Sequence, residues 1–131
     1  MLVKHGRGTQ VWQDGAKYQG EWRNGQANGQ GVFHHLNGDV YEGEFVNDKA
    51  NGHGVYYHKN GSKYTGLWKE DLKHGLGREE WDDGSYYEGE FYLGLKHGKG
   101  KYRWADGSTY NGAWHENNIH GEGTYNWPDG R

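Results

Sequence analysis

Six Gly-x-Gly steps divide the chain into equal lengths. They stand at Gly6/Gly8, Gly29/Gly31, Gly52/Gly54, Gly75/Gly77, Gly98/Gly100 and Gly121/Gly123, 23 residues apart each time and without insertion. A strict period of this length marks a fold assembled from one supersecondary unit, in which each copy buries its apolar surface against the next. Other columns keep the same phase. Tyr-x-Gly recurs at Tyr18/Gly20, Tyr41/Gly43, Tyr64/Gly66, Tyr87/Gly89 and Tyr110/Gly112. Two residues further on comes a second ring: Trp22, Phe45, Trp68, Phe91 or Trp114. Asp-Gly or Asn-Gly punctuates every period, at Asp14-Gly15, Asn37-Gly38, Asn60-Gly61, Asp83-Gly84, Asp106-Gly107 and Asp129-Gly130.

Within a period the residues alternate. In "YEGEF" (41–45) ring, glycine and ring take the odd places and carboxylates the even ones. In "GKGKYRW" (98–104) glycines and rings alternate with Lys99, Lys101 and Arg103. Period two specifies a strand with one buried and one wet face. Asp-Gly and Asn-Gly are hairpin turns, and a second polar turn falls near Asn24-Gly25, Asn47-Asp48 and Asn117-Asn118. Each unit is therefore a short hairpin. The expected fold is all-β: a single-layer, elongated antiparallel sheet of tandem 23-residue β-hairpin repeats. It forms one domain over residues 1–131, with units of about 6–28, 29–51, 52–74, 75–97 and 98–120 and a partial unit at 121–131. About eleven strands at ~4.8 Å spacing make a rod roughly 50 Å long.

A single layer has no helix to cover its apolar face, so composition has to explain what does. Leu, Ile and Val are sparse, but the 131 residues include 25 Gly, 11 Tyr, 7 Trp and 3 Phe. A glycine in a strand lets another group approach the backbone; here it leaves a flat place on which a ring from the adjacent strand can lie. Disorder would need high net charge and few aromatics, whereas the net charge is −3 and aromatics make up 16%. The N-terminal stretch "MLVKHGRGTQ" lacks the apolar core of a signal peptide, and no apolar run reaches the ~18 residues of a membrane helix. With no Cys there is neither a disulfide framework nor a thiolate metal site. A soluble cytoplasmic protein is expected.

Composition and spacing also exclude most chemistry. Fifteen basic against eighteen acidic residues give no broad field for nucleic acid, and Lys99, Lys101 and Arg103 form only one small basic cluster. Among nine histidines, His74, His97 and His120 share a column. Column mates lie two strands apart, about 10 Å, which is too far for ligands that must sit about 2.0–2.1 Å from one zinc ion. His34, His35, His53 and His58 come without matching Cys or carboxylate spacing, so no metal or cofactor is expected. Glu21, Glu44 and Glu90 form a column on the wet face and are expected to be simply solvated. No nucleophile elbow, phosphate loop or dinucleotide fingerprint is present, and a ladder offers no enclosed catalytic pocket.

A column present in every repeat cannot mark a unique site, so departures from the pattern carry more information. The ring seen at Trp12, Trp81, Trp104 and Trp127 becomes His35 and His58; the Glu column becomes Leu67 and Ala113; Glu79 replaces the ring of Phe33, Tyr56, Tyr102 and Tyr125. Leu67, Leu72, Leu76, Tyr92, Leu93 and Leu95 gather apolar side chains at outer-face and tip positions where other repeats place Glu44, Lys49, Gln30, Asn47 and Gln26. Such a patch is either a docking surface or packing between neighbouring tips. A second candidate is the groove of rings itself: Tyr41, Phe45, Tyr64, Trp68, Tyr87, Phe91, Tyr110 and Trp114. An amphipathic helix can set its anchors against such successive rings.

The segments "YEGEFVNDKANGHGVYYHKNG" (41–61) and "YEGEFYLGLKHGKGKYRWADG" (87–107) resemble MORN repeats, the membrane occupation and recognition nexus family, and the resemblance extends from Gly6 to Gly130. It implies a gently twisted rod of stacked hairpins without intrinsic catalysis. It further implies a protein-interaction scaffold in a larger intracellular assembly, ciliary, flagellar or cytoskeletal. The alternatives are a membrane-recruitment module binding acidic phospholipid and a regulatory segment of a lipid kinase or methyltransferase. Partner helices in the aromatic groove and weak phospholipid binding both belong to what the family implies. The chain begins in the second half of a hairpin and stops before the next Tyr-x-Gly. Open strand edges of this kind imply a longer protein or end-to-end self-association.

Overall fold

The period-two alternation becomes a single sheet in which every strand pairs with its neighbours in the sequence. The computed structural model describes residues 5–128; the Asp129-Gly130 turn lies outside them. The strands are β1 (Gly6–Val11), β2 (Lys17–Arg23), β3 (Gln26–His34), β4 (Val40–Val46), β5 (Lys49–Tyr57) and β6 (Lys63–Lys69). They continue with β7 (Leu72–Glu80), β8 (Tyr86–Tyr92), β9 (Leu95–Arg103), β10 (Thr109–His115) and β11 (Asn118–Asn126). Their spatial order is their chain order, all antiparallel, and no described residue is helical.

From β2 onward, strands of seven and nine residues alternate. Two-residue tips join each seven to the following nine, and the Asp-Gly/Asn-Gly loops close the opposite side. At the tips both central residues have positive φ, as at Asn47 (48°) and Asp48 (71°) or Glu70 (46°) and Asp71 (70°). That is the type I′ geometry whose twist matches the flanking strands. The turn expected at Asn117-Asn118 sits one residue earlier, at Glu116 (47°) and Asn117 (72°), because Asn118 already pairs with His115 and opens β11. The tips also link hairpins. Asp71 donates its amide to the Ala50 carbonyl (2.9 Å) and accepts the Ala50 amide on Oδ1 (2.8 Å).

The unequal strand lengths are taken up by a bulge. Gly43 pairs with Gly54 and Phe45 with Ala50, so Glu44 alone faces Asn51, Gly52 and His53. Gly52, the first glycine of its Gly-x-Gly, takes φ +101° there, a left-handed conformation that costs glycine little. The bulge presents the His53 amide to Glu44, whose Oε2 accepts it at 2.5 Å. Glu21 accepts the Gln30 amide in the same way, and Glu90 that of Lys99 (2.7 Å). The expectation that this column is merely solvated is thus corrected: its carboxylates bind bulge amides that simple alternation does not reveal.

The second glycine of each pair has a different use. Tyr41 is 3% exposed and lies against Gly54 across the β4–β5 pair, so close that a Cβ on Gly54 would stand 2.5 Å from Tyr41 Cζ. Tyr18 on Gly31, Tyr64 on Gly77, Tyr87 on Gly100 and Tyr110 on Gly123 repeat the arrangement. Each hydroxyl donates to the carbonyl three residues on, as from Tyr41 to Glu44 (2.9 Å) and from Tyr64 to Leu67 (2.8 Å). The second ring column closes over the bed, and the indole N–H of Trp68 donates to the Gly54 carbonyl (3.3 Å). The rings meet edge to face along the rod, with Tyr41–Phe45 at 5.0 Å, Tyr41–Trp68 at 5.4 Å and Tyr64–Phe91 at 5.2 Å, the orientation aromatic quadrupoles favour. This continuous stack is the core.

Candidate functional site

Alternation places the leucine patch on the face opposite the ring core. All six members are exposed, from 36% for Leu95 to 65% for Leu76. Leu67 and Leu76 line one shallow dish together with Thr65, Arg78 and Glu88. Arg78 is held there by Glu80 (3.0 Å) and Glu88 and lies over the Tyr86 ring (4.1 Å). Leu72 points toward the next tip, where its Cδ2 would be 3.7 Å from a Cβ on Gly94, and Tyr92 pairs across the strands with Leu95. Leu93 occupies the first tip position with φ 49°. A left-handed conformation costs an ordinary side chain about 1–2 kcal/mol. The matching tips carry Asn24, Asn47, Glu70 and Glu116.

A line of rings runs along the same face. His74 meets Tyr92 (5.7 Å), Tyr92 meets His97 (5.5 Å), His97 meets His115 (5.5 Å) and His115 meets His120 (5.5 Å). Sequence spacing isolated His74, His97 and His120 because it compared only positions in the same repeat phase. Tyr92 and His115 come from the other strand of each hairpin and fill the gaps. Among the described residues no group of three or more His, Asp or Glu is arranged to hold a metal ion.

On the inner face the eight groove rings are buried, none more than 9% exposed. They form the floor, and the accessible lining comes from the half-buried row Phe33, Tyr56, Trp81, Tyr102 and Trp104. His35 and His58 keep their places in that row as rings, tilted against Phe33 and Tyr56 at 4.6 Å. The row is cut once by Glu79, which accepts an ion pair from Lys73 (2.9 Å). Lys73 in turn lies over Tyr64 (5.3 Å) and Phe91 (5.9 Å). One repeat on, Lys96 stands among Trp81, Tyr87, Tyr102 and Trp114 at 5.7–5.9 Å. Burial lowers its pKa from the usual lysine range; Glu79 opposes that shift and Lys73 adds to it. Two repeats earlier the place of Lys96 is held by Ala50, and a cavity of ≈ 250 Å³ opens there, lined by His35, Tyr41, Tyr56, Trp68, Asp48 and Asp71 among others. Sequence reasoning missed this cavity, although the column Ala27, Ala50, Lys73, Lys96 was visible in it.

The MORN repeat family model matches residues 3–17, 18–40, 41–63, 64–86, 87–109 and 110–130. It cuts the same 23-residue period at the tyrosine column. No curated protein matches the chain. Among solved structures, the chain is similar to the SAS-4 (dCPAP) TCP domain of Drosophila melanogaster, solved in complex with a proline rich motif of Ana2 (dSTIL). The two share 17% identity over 95% of this chain and 86% of that one, with a TM-score of 0.37.

Proposed function

The chain belongs to the MORN-repeat family, whose repeats are generally non-catalytic protein or membrane interaction modules, and on that premise we propose that it is a scaffold module holding a protein partner on its outer leucine patch. The observation that carries this reading is Leu93. An apolar side chain sits exposed on a turn position that disfavours it, while every matching tip uses Asn or Glu. Glu70 and Glu116 share the left-handed turn, so what sets Leu93 apart is its exposed apolar side chain, and exposed apolar surface points to a use outside the fold. The neighbouring Leu67, Leu72, Leu76, Tyr92 and Leu95 extend the same surface over β6 to β9. The setting we propose, on family resemblance, is a ciliary or cytoskeletal assembly, and fluorescence imaging of the tagged protein tests it.

The test of the patch uses Leu67→Glu with Leu95→Gln, two exchanges that matching repeats already carry. The pair should leave the melting temperature almost unchanged and weaken partner capture by about 2–4 kcal/mol, the range of interface hot spots. A large loss of stability would instead make the leucines tip packing and overturn the reading.

A further inference from the structure

The inner face holds a second feature, independent of the leucine patch. The rod builds one kind of aromatic cage around Lys96 and again at Ala50, the second with His35 in place of Trp81 and with no lysine to fill it. Around Lys96 the walls are Trp81, Tyr87, Tyr102 and Trp114. The residues two repeats earlier are His35, Tyr41, Tyr56 and Trp68, and these line the ≈ 250 Å³ cavity at Ala50. Ring contacts repeat as well: Tyr56–Trp68 is 6.0 Å with 36° between planes, and Tyr102–Trp114 is 6.0 Å with 38°. The cage that receives the chain's own ammonium in one place is built again in another, and the lysine is missing.

Charge follows the same division. The tip position flanking each cage runs Asp48, Asp71, Gly94, Asn117. Lys96 thus lies between Gly94 and Asn117, whereas Ala50 lies between two carboxylates, both in the cavity wall. Each uses Oδ1 for a backbone amide, Asp48 for that of Ala27 (2.7 Å) and Asp71 for that of Ala50 (2.8 Å). Their Oδ2 atoms make no hydrogen bond or ion pair among the described residues. Ring faces attract a cation within about 6 Å, more strongly when water is excluded, and aromatic cages take quaternary and methylated ammonium groups in this way. An uncharged apolar guest would leave the two carboxylates without a countercharge.

We propose that the Ala50 cavity, walled by His35, Tyr41, Tyr56 and Trp68 and flanked by Asp48 and Asp71, takes the ammonium group of a lysine side chain, free or N-methylated, from a partner polypeptide. The lysine enters where Lys96 sits in its own cage, with its ammonium over the rings and its charge balanced by the two aspartates.

The test is an NMR titration of the full chain, following the Trp68 indole N–H. The probes are alanine-flanked tripeptides centred on lysine, trimethyl-lysine or acetyl-lysine, with tetramethylammonium as the free-cation arm. The cationic peptides should shift the Trp68 signal saturably, more strongly than tetramethylammonium, and the neutral acetyl-lysine peptide should not. Ala50→Lys places the chain's own ammonium in the cage, as position 96 already does, and should abolish the shift with the fold intact. Asp71→Asn keeps an acceptor for the Ala50 amide, as Asn117 does for Lys96 (2.9 Å), and should weaken binding at least threefold. Leu67→Glu with Leu95→Gln should leave the titration unchanged, so failure of the outer patch and failure of the cage are separable. An equal response to acetyl-lysine, full binding in Ala50→Lys, or no response to any cation would overturn the proposal. Tetramethylammonium binding as strongly as the peptides would overturn its peptide origin.

Discussion

Replacing Gly54 by alanine tests how the ring core is built. The backbone at Gly54 lies outside the left-handed region, so alanine meets no conformational barrier; it meets Tyr41. The added Cβ would stand 2.5 Å from Tyr41 Cζ, where ordinary contact begins near 3.4 Å, so the ring has to retreat by about 1 Å. Retreat strains a packed site, which costs about 1–3 kcal/mol. It also lengthens the hydroxyl bond to the Glu44 carbonyl (2.9 Å), and a poorly paired buried group costs roughly 1–3 kcal/mol. The edge-to-face contacts with Phe45 (5.0 Å) and Trp68 (5.4 Å) loosen as well. The lower chain entropy of alanine returns about 0.4–1 kcal/mol. The net expectation is a loss of about 1–5 kcal/mol, or roughly 4–20 °C in the melting temperature of a domain this size. Gly8 belongs to the same sequence column, but no tyrosine lies on it, and a Cβ there would stand 3.5 Å from the Trp22 ring. Gly8→Ala should therefore change stability by no more than about 0.5 kcal/mol. Thermal melts followed by circular dichroism compare the two. Midpoints within about 2 °C of each other would refute the claim that the second glycine exists to seat the ring.

Glu44→Ala should cost about 1–2 kcal/mol, because it removes the charged acceptor of the His53 bulge amide, while Glu42→Ala on the same strand should stay within about 0.5 kcal/mol; urea titrations distinguish the two. Leu93→Asn should raise the melting point by a few degrees, since relieving the left-handed leucine is worth about 1 kcal/mol, and at the same time weaken partner capture. The pH profile follows from three aspartates. The Lys59 amide and then the Tyr56 hydroxyl hold Asp39 below the usual carboxylate range, and the hydroxyls and amides of Ser85 and Ser108 do the same for Asp83 and Asp106. Their folded pKa values lie below the unfolded one, so their stabilisation is complete above about pH 4 and disappears as pH falls through the folded values. Melting points should drop as pH falls from about 4 toward 3, and Asp39→Asn should flatten part of that drop.

The strands, their order and the rings on glycine were legible because the period runs without insertion: Tyr41, Phe45 and Gly54 recur at fixed offsets, and alternation assigns them to one face. What the period hides is contact across strands. Glu44 reads as a wet-face carboxylate until the register shows three residues of β5 opposite it. His115 and His97 belong to different columns yet touch at 5.5 Å, since a hairpin sets its two halves against each other in reverse order. The cage at Ala50 combines both difficulties. Its walls come from β4, β5, β6 and the loop at His35, and its meaning depends on Lys96 filling the matching cage, with Trp81 in place of His35, two repeats later. The leucines were visible as departures from the columns, but their exposure, and the strain at Leu93, needed coordinates.

Hydrogen exchange with and without bound partner tests the proposed scaffold role most directly. The tip amides of Glu70 and Leu93 lie at the rim of the patch and outside the strands, so they exchange quickly in the free protein, whereas those of Asp71 and Gly94 are held by the Ala50 and Lys73 carbonyls (2.9 Å each). A partner seated on the leucines should slow exchange at these tips and along residues 72–76 and 92–95, and leave β1 and β11 unchanged. Protection confined to the outer strands β1 and β11, with the two tips exchanging as in the free protein, would contradict the outer patch as the place where the partner is held.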